Sequence, residues 1–165
     1  GSRSVERLPD QARWPVECTI GTDGSIAFAD PVARRVFVRD PRGDWTSLDR
    51  LGEVGFVRPT GVAYRSDGTL VVADAARDAC IVGAADGSAR LVGERGELDE
   101  QFFEPEAICG SPKGLIVVDR GNHRFQRFGD GFAWNLTGSM GRYFDQKRKG
   151  SPGAAPARVP SGGDS

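Results

Sequence analysis

The segment PTGVAYRSDGTLVVADAARDACIV, residues 59–82, indicates the fold class most directly, because two other segments of the chain repeat its pattern. PVECTIGTDGSIAFADPVARRVFV occupies residues 15–38, and PEAICGSPKGLIVVDRGNHRFQRF occupies residues 105–128. Each stretch begins with a proline, crosses a glycine turn and ends its second apolar run with an aspartate. The three prolines are spaced by 44 and 46 residues. A period of this length with several short strands per unit is typical of a β-propeller or a related array.

Each repeat predicts four antiparallel strands, which is the content of one propeller blade. An Asp-Gly pair at 23–24 and at 67–68 favours a hairpin turn, because both residues tolerate the positive φ that such a turn needs. The second strand of each repeat is almost continuously apolar, so we expect it to be buried on both faces between neighbouring blades. In chain order within each repeat, the predicted strands are 16–20, 25–29, 36–39 and 45–48; then 61–64, 69–73, 80–83 and 89–92; then 106–109, 115–118, 125–128 and 133–136.

The rest of the chain divides around these repeats. Residues 1–13 form an N-terminal extension, which we expect to be either a short helix or an added outer strand. The three blades occupy residues 14–137, at about 14–50, 51–100 and 101–137. Residues 138–165 contain an aborted fourth repeat and a tail rich in Pro, Gly and Ala, whose composition predicts disorder. No run approaches the roughly 18 apolar residues that a membrane span requires.

Charge is balanced overall but uneven along the chain. The net charge is −1, which by itself predicts no polyanionic partner. Residues 74–106 carry nine acids against three arginines, whereas residues 120–149 carry seven bases against two acids. Such asymmetry either steers association with a charged surface or is an ordinary solvated surface of uneven sign.

The three cysteines lie within apolar strand patterns. When the repeats are aligned on their prolines, Cys18 matches Val62 and Ile108, and Cys109 matches Thr19 and Ala63. We therefore expect Cys18, Cys80 and Cys109 to be small buried side chains. Their odd number and their spacing argue against a disulfide framework and against a metal site.

The third repeat resembles the NHL repeat. The likeness is carried by Phe103-x-Pro105-Glu-Ala-Ile108 and by the segment DRGNHRFQRF, residues 119–128. The second repeat is similar through Phe56-x-x-Pro59 and DGTLVVAD, residues 67–74, and the first is the most divergent. The resemblance covers about residues 14–137. It implies an all-β fold of three NHL-like propeller blades that make up half of a six-bladed ring, with ring faces that bind proteins or RNA. Some relatives with six-bladed rings are lactonases or lyases that use metals.

Three aspartates recur where the second strand of each repeat ends. Asp30, Asp74 and Asp119 invite a metal interpretation, but an aspartate after a strand more commonly accepts hydrogen bonds from the following turn. We therefore predict structural roles for them, and for Asn122 and Arg124 beside Asp119. His123 is the single histidine, too few for a multi-histidine metal site. The sequence thus predicts no catalytic residue, no metal site and no cofactor.

The candidate interaction residues are aromatic and basic. Trp14 precedes the first proline, where we expect it to seal the open edge of the array, while Trp45 and Trp134 are expected to pack between blades. The segment RYFDQKRK, residues 142–149, mixes bases with aromatic side chains, a combination suited either to RNA or to an acidic protein surface. Its candidate residues are Arg142, Tyr143, Phe144, Lys147, Arg148 and Lys149.

These observations predict a non-catalytic propeller scaffold that binds protein. Three repeats are too few for an ordinary closed ring, so either a second copy of the chain or another protein must supply the missing blades. RNA binding through the basic segment is one alternative. A lactonase-like or lyase-like enzyme is the other, and a stoichiometric metal ion would favour it.

Overall fold

The computed structural model describes residues 5–111 and 114–129, and in that part of the chain it is all-β. The first antiparallel sheet has the order β1-β2-β3-β4, and the second has the order β10-β9-β8-β7. The third sheet has the order β13-β14-β15. These three sheets are the propeller blades that the repeats predict. Two short pairs lie between them: β5 with β6, and β11 with β12. The first blade and the hairpin after it contain β1 (Glu17–Ile20), β2 (Ile26–Asp30), β3 (Arg35–Arg39), β4 (Trp45–Leu48), β5 (Arg50–Leu51) and β6 (Val54–Gly55). The remaining strands are β7 (Pro59–Tyr64), β8 (Leu70–Asp74), β9 (Ala79–Gly83), β10 (Ala89–Val92), β11 (Glu94–Arg95), β12 (Gln101–Phe102), β13 (Pro105–Ser111), β14 (Gly114–Asp119) and β15 (Arg124–Phe128).

The core lies between successive blades. We call the face of a blade that meets the next blade in the chain its forward face, and the opposite one its back face. Side chains alternate between the two faces: Val72 belongs to the cluster shared with the first blade, and Val71 to the one shared with the third. The first–second cluster contains Ala27, Ala29, Val36, Phe56, Val62, Val72 and Ile81. The second–third cluster contains Ala63, Val71, Ala73, Cys80, Val82, Val92, Phe102, Ile108, Leu115, Val117 and Phe128.

The Asp-Gly turns form as the sequence predicts. Gly24 and Gly68 have φ values of +88° and +80°. The Asp67 carboxylate accepts hydrogen bonds from the Thr69 hydroxyl at 2.6 Å and from the Thr69 backbone N–H at 3.0 Å. These bonds favour the charged form and lower the pKa of Asp67. The corresponding turn of the third blade contains residues 112–113, which lie outside the described part of the chain.

The described part of the N-terminal extension, residues 5–13, is neither a helix nor a strand. Residues 5–16 run without regular structure apart from a turn at 10–11. Glu6 pairs with Arg39 at 2.8 Å, and the backbone of Arg13 bonds to Asp30. Since Arg39 lies in register with Ile26 on the back face of the first blade, these two anchors place the extension along that face.

Two of the three cysteine predictions are wrong. Cys80 is buried, but Cys18 and Cys109 are exposed. The reason is that Cys18 lies on the back face of the first blade and Cys109 on the forward face of the third, where no neighbouring blade exists in the described chain. Trp45 is a related correction: its ring packs edge-on against Phe28 at 5.5 Å on the back face of the first blade, and so does not lie between two described blades.

Candidate functional site

The recurring aspartates hold the chain segment that leads into each blade. Asp30 accepts backbone N–H bonds from Arg13 at 2.6 Å and Trp14 at 2.7 Å. Asp74 does the same for Val57 at 2.7 Å and Arg58 at 2.9 Å. Both carboxylates are completely buried. Each aspartate thus ties the end of a second strand to the two residues before its own blade.

Asp119 is the centre of a larger network in the third blade. It accepts the Phe103 N–H at 2.7 Å, the Asn122 side-chain amide at 2.9 Å and the Arg124 Nε–H at 2.8 Å. The neighbouring N–H, that of Glu104, is bound instead by Asp78 at 2.8 Å. In the third blade, Asp119 and Asp78 each accept one of the two backbone N–H groups that precede the blade. In each of the other two blades, a single aspartate accepts both of these N–H groups.

Arg124 extends this network to the segment that links the second and third blades. Its guanidinium donates to the carbonyl oxygens of Glu97 and Leu98 at 2.6 Å and of Gln101 at 2.7 Å. The planar group with its several N–H donors suits this task, which a lysine could not perform in full. The position of His123 follows from the same turn: it is an exposed residue in the left-handed conformation, with φ of 50°.

Glu17 joins the inner strands of all three blades. One of its carboxylate oxygens accepts the N–H of Val62 in the second blade and of Ile108 in the third, both at 3.2 Å. Burial raises the pKa of Glu17, and the two N–H bonds oppose that rise in part. Sequence analysis missed this residue because its partners lie in other repeats. The available signal in the sequence was the charge of Glu17, because the aligned positions of the other two repeats are Gly61 and Ala107.

A pocket of about 390 Å³ opens beside these inner strands, on the side where the recurring aspartates lie. Arg58 approaches Glu104 at 3.6 Å, and Arg120 pairs with Glu104 and with Glu106, the latter at 3.2 Å. The charges of the pocket are therefore largely balanced among its own side chains. Its lining consists of Trp14, Val16, Glu17, Pro31, Arg58, Thr60, Ala75, Glu104, Glu106, Ala107 and Arg120.

The pocket combines carboxylates, guanidinium groups and one exposed indole. Trp14 is 65% exposed in the described chain, and its expected role at the open edge of the array stays a prediction from sequence. In residues 5–111 and 114–129, no three His, Cys, Asp or Glu side chains form a metal-binding group. In the same residues, no helix is long and apolar enough to cross a membrane. A rim of paired charges around an exposed indole is suited to contacts with a polar surface.

The other interaction candidates lie outside the described residues. They are Trp134 and the basic segment with Arg142, Tyr143, Phe144, Lys147, Arg148 and Lys149. The fourth strand of the third blade, expected at 133–136, and the tail of residues 138–165 fall in the same region. These remain predictions from sequence.

No protein-family model matches the chain, and no curated protein matches it. Solved structures do. Virginiamycin B lyase from Staphylococcus aureus matches with a TM-score of 0.53 and 17% identity, over 71% of this chain and 38% of that chain. A chain of the nidogen/laminin complex matches with a TM-score of 0.54 and 18% identity, over 70% and 44% of the two chains. A gluconolactonase from Xanthomonas campestris matches with a TM-score of 0.52 and 18% identity, over 73% and 48%.

These similar structures are six-bladed propellers. The chain spans less than half of the length of each of the three. At such low identity, the similarity establishes the propeller fold and nothing about activity. The fold class inferred from the repeats is confirmed.

Proposed function

We propose that this chain is a non-catalytic, NHL-type propeller scaffold that binds protein through its open blade faces. The observation that carries the proposal is the apolar surface exposed at both ends of the three-blade array formed by residues 5–111 and 114–129. On the forward face of the third blade, Val118 is 42% exposed, and Ile116 and Phe125 are half-buried. On the back face of the first blade, Val16 is 47% and Ile20 is 71% exposed.

Equivalent faces inside the array are covered by the next blade. Val62 on the back face of the second blade is completely buried against the first blade, whereas Cys18, at the aligned position of the first blade, is exposed. The end faces of the array carry apolar side chains at matching strand positions but are exposed to water. Covering this apolar surface favours association by roughly 25 cal/mol per Å². Apolar strand faces of this kind mark interaction surfaces.

The charged residues of the described chain support the non-catalytic part of the proposal. Asp30, Asp74 and Asp119 accept from backbone and side-chain donors. In the pocket, Glu104 and Glu106 are paired with arginines, and Glu17 accepts the N–H groups of Val62 and Ile108. A general acid or base needs an acceptor or proton free to meet a substrate. The NHL-type assignment is supported by the way Asp119, Asn122 and Arg124 join in one network, as their close spacing in DRGNHRFQRF suggests.

The experiment compares face variants with a matched control. Ile20→Glu and Val118→Glu each place a charge on an open face, while Leu91→Glu changes a similarly exposed side chain on the outer strand β10. We expect the two face variants to lose a stoichiometric protein partner that the wild type and Leu91→Glu retain. Mass spectrometry identifies the partner if it is another protein, and the mass of the complex identifies it if it is a second copy of the chain. Equal retention by all four proteins would contradict the proposal. So would a stoichiometric metal ion together with lactone hydrolysis.

A further inference from the structure

We propose that the partner on the open faces is a second copy of this chain, arranged head-to-tail so that Cys109 of one copy lies against Cys18 of the other. This inference rests on the proposed function and names the partner of the same surfaces. The forward face of each third blade packs on the back face of the other copy's first blade. The two contacts are related by a two-fold axis and close one six-bladed ring.

The two interfaces inside the chain give the packing rule. In the second–third interface, Ala63, four residues after its proline, lies on the forward face and shares a cluster with Ile108, three residues after its own proline. In the first–second interface, Val62, three residues after its proline, shares a cluster with Ala27, which pairs with Thr19. Thus the residue four places after the proline lies on the forward face, toward the cluster that contains the residue three places after the next proline.

Cys109 and Cys18 occupy these same positions at the two ends of the array. Cys109 is four residues after Pro105, and Cys18 is three residues after Pro15. The rule therefore directs Cys109 forward from the third blade and Cys18 backward from the first. Both thiols are exposed, whereas the equivalent Ala63 is completely buried and Ile108 is 2% exposed. A second copy would cover both cysteines as the internal blades cover their equivalents.

The residues around the two cysteines indicate that the contact between the two copies is made mainly by the inner strands β1 and β13. On the back face of the first blade, Phe28 and Phe37 are already buried, and the extension anchored at Glu6 and Asp30 runs along this face. The exposed apolar residues there are Val16 and Ile20, which flank Cys18 on the same face. Opposite them, the forward face of the third blade offers Ala107 and Val118 beside Cys109.

Closure also completes the pocket. Its described lining comes from the inner ends of three blades, with Glu17 reaching across from the first to the third. A second copy brings a second set of the same side chains around the axis, including a second Glu17. One chain therefore supplies half of the side chains that would line the pocket of the closed ring.

The test uses the native cysteines and a short bis-maleimide, which requires no oxidation. Cys18→Ser and Cys109→Ser proteins are purified, mixed and treated with the reagent. We expect a crosslinked dimer in the mixture and in the wild type, and none in either variant alone, since each variant then lacks one member of every pair. Cys80 is completely buried and gives no background. A crosslink within one chain would leave the mass of a monomer and is thereby distinguished.

Light scattering gives the second measurement. We expect twice the chain mass of 17.7 kDa for wild type and for Leu91→Glu, and the monomer mass for Ile20→Glu. A dimer with no crosslink between positions 18 and 109 would overturn the head-to-tail arrangement. A monomer that retains another protein through the same faces would overturn the second-copy proposal and leave the scaffold function intact. A monomer with no face-dependent partner would overturn both.

Discussion

At the scale of the residue, the buried aspartates explain how each repeat is joined to the chain before it. Replacing Asp74, whose side chain is completely buried, with Ala leaves the partly buried N–H groups of Val57 and Arg58 without this acceptor. Unsatisfied buried donors are costly, so we expect a loss of about 2–4 kcal/mol in the free energy of unfolding, measured with urea. Asp86→Ala is the control, because Asp86 bonds to Ser88 in an exposed turn. A similar loss in both variants would contradict the assigned role.

Glu17 makes a prediction about pH. Its pKa in the fold is raised above the ordinary value of 4.5, so the folded chain holds the proton more tightly than the unfolded chain. The contribution of Glu17 to stability therefore falls as pH rises past the unfolded pKa. Glu17→Gln keeps an oxygen that can accept from Val62 and Ile108 without the charge.

We expect Glu17→Gln to gain stability relative to wild type as pH rises above the unfolded pKa of 4.5, measured by urea unfolding at each pH. The exposed Glu53→Gln is the control and should show no such trend. If the difference in stability between Glu17→Gln and wild type does not change with pH, then burial does not raise the pKa of Glu17 in the folded chain.

At the scale of the element, the approach of the inner strands depends on Gly61 in β7. A Cβ built at this position would lie 2.9 Å from the backbone nitrogen of Ile108 and 3.1 Å from the carbonyl carbon of Ala107. Gly61→Ala should therefore push the second and third blades apart and cost about 1–3 kcal/mol in urea unfolding. Gly55→Ala, whose Cβ meets nothing closer than 3.9 Å, should cost little. Equal effects would mean that the strands can separate freely.

The strands could be located from sequence because their signals are local. β4 was predicted at 45–48 and is observed at Trp45–Leu48, while β2 was predicted at 25–29 and is observed at Ile26–Asp30. Apolar runs bounded by Asp-Gly turns suffice for this. The small pairs β5–β6 and β11–β12 were not foreseen, because two-residue strands carry no periodic pattern.

Which strand faces have a neighbour is a different question, and the repeats alone did not answer it. Cys18 aligns with Val62, yet Cys18 is exposed and Val62 is fully buried. The two positions have equivalent local sequence and differ in what lies beyond them. Glu17 was missed for the same reason, since its hydrogen-bond partners are 45 and 91 residues away in the chain. Burial and long-range bonds depend on the order of blades in space.

At the scale of the whole molecule, the open faces couple stability to association. If two chains close one ring, unfolding requires the dimer to separate, so stability must rise with protein concentration. We expect the thermal midpoint of wild type to increase across about a hundredfold range of concentration. Ile20→Glu should abolish the increase, because its charge lies on the face that the second copy covers. Leu91→Glu should preserve it. A wild-type midpoint that does not change with concentration would show that the array is stable with both end faces in water, and the apolar side chains there would then need another explanation.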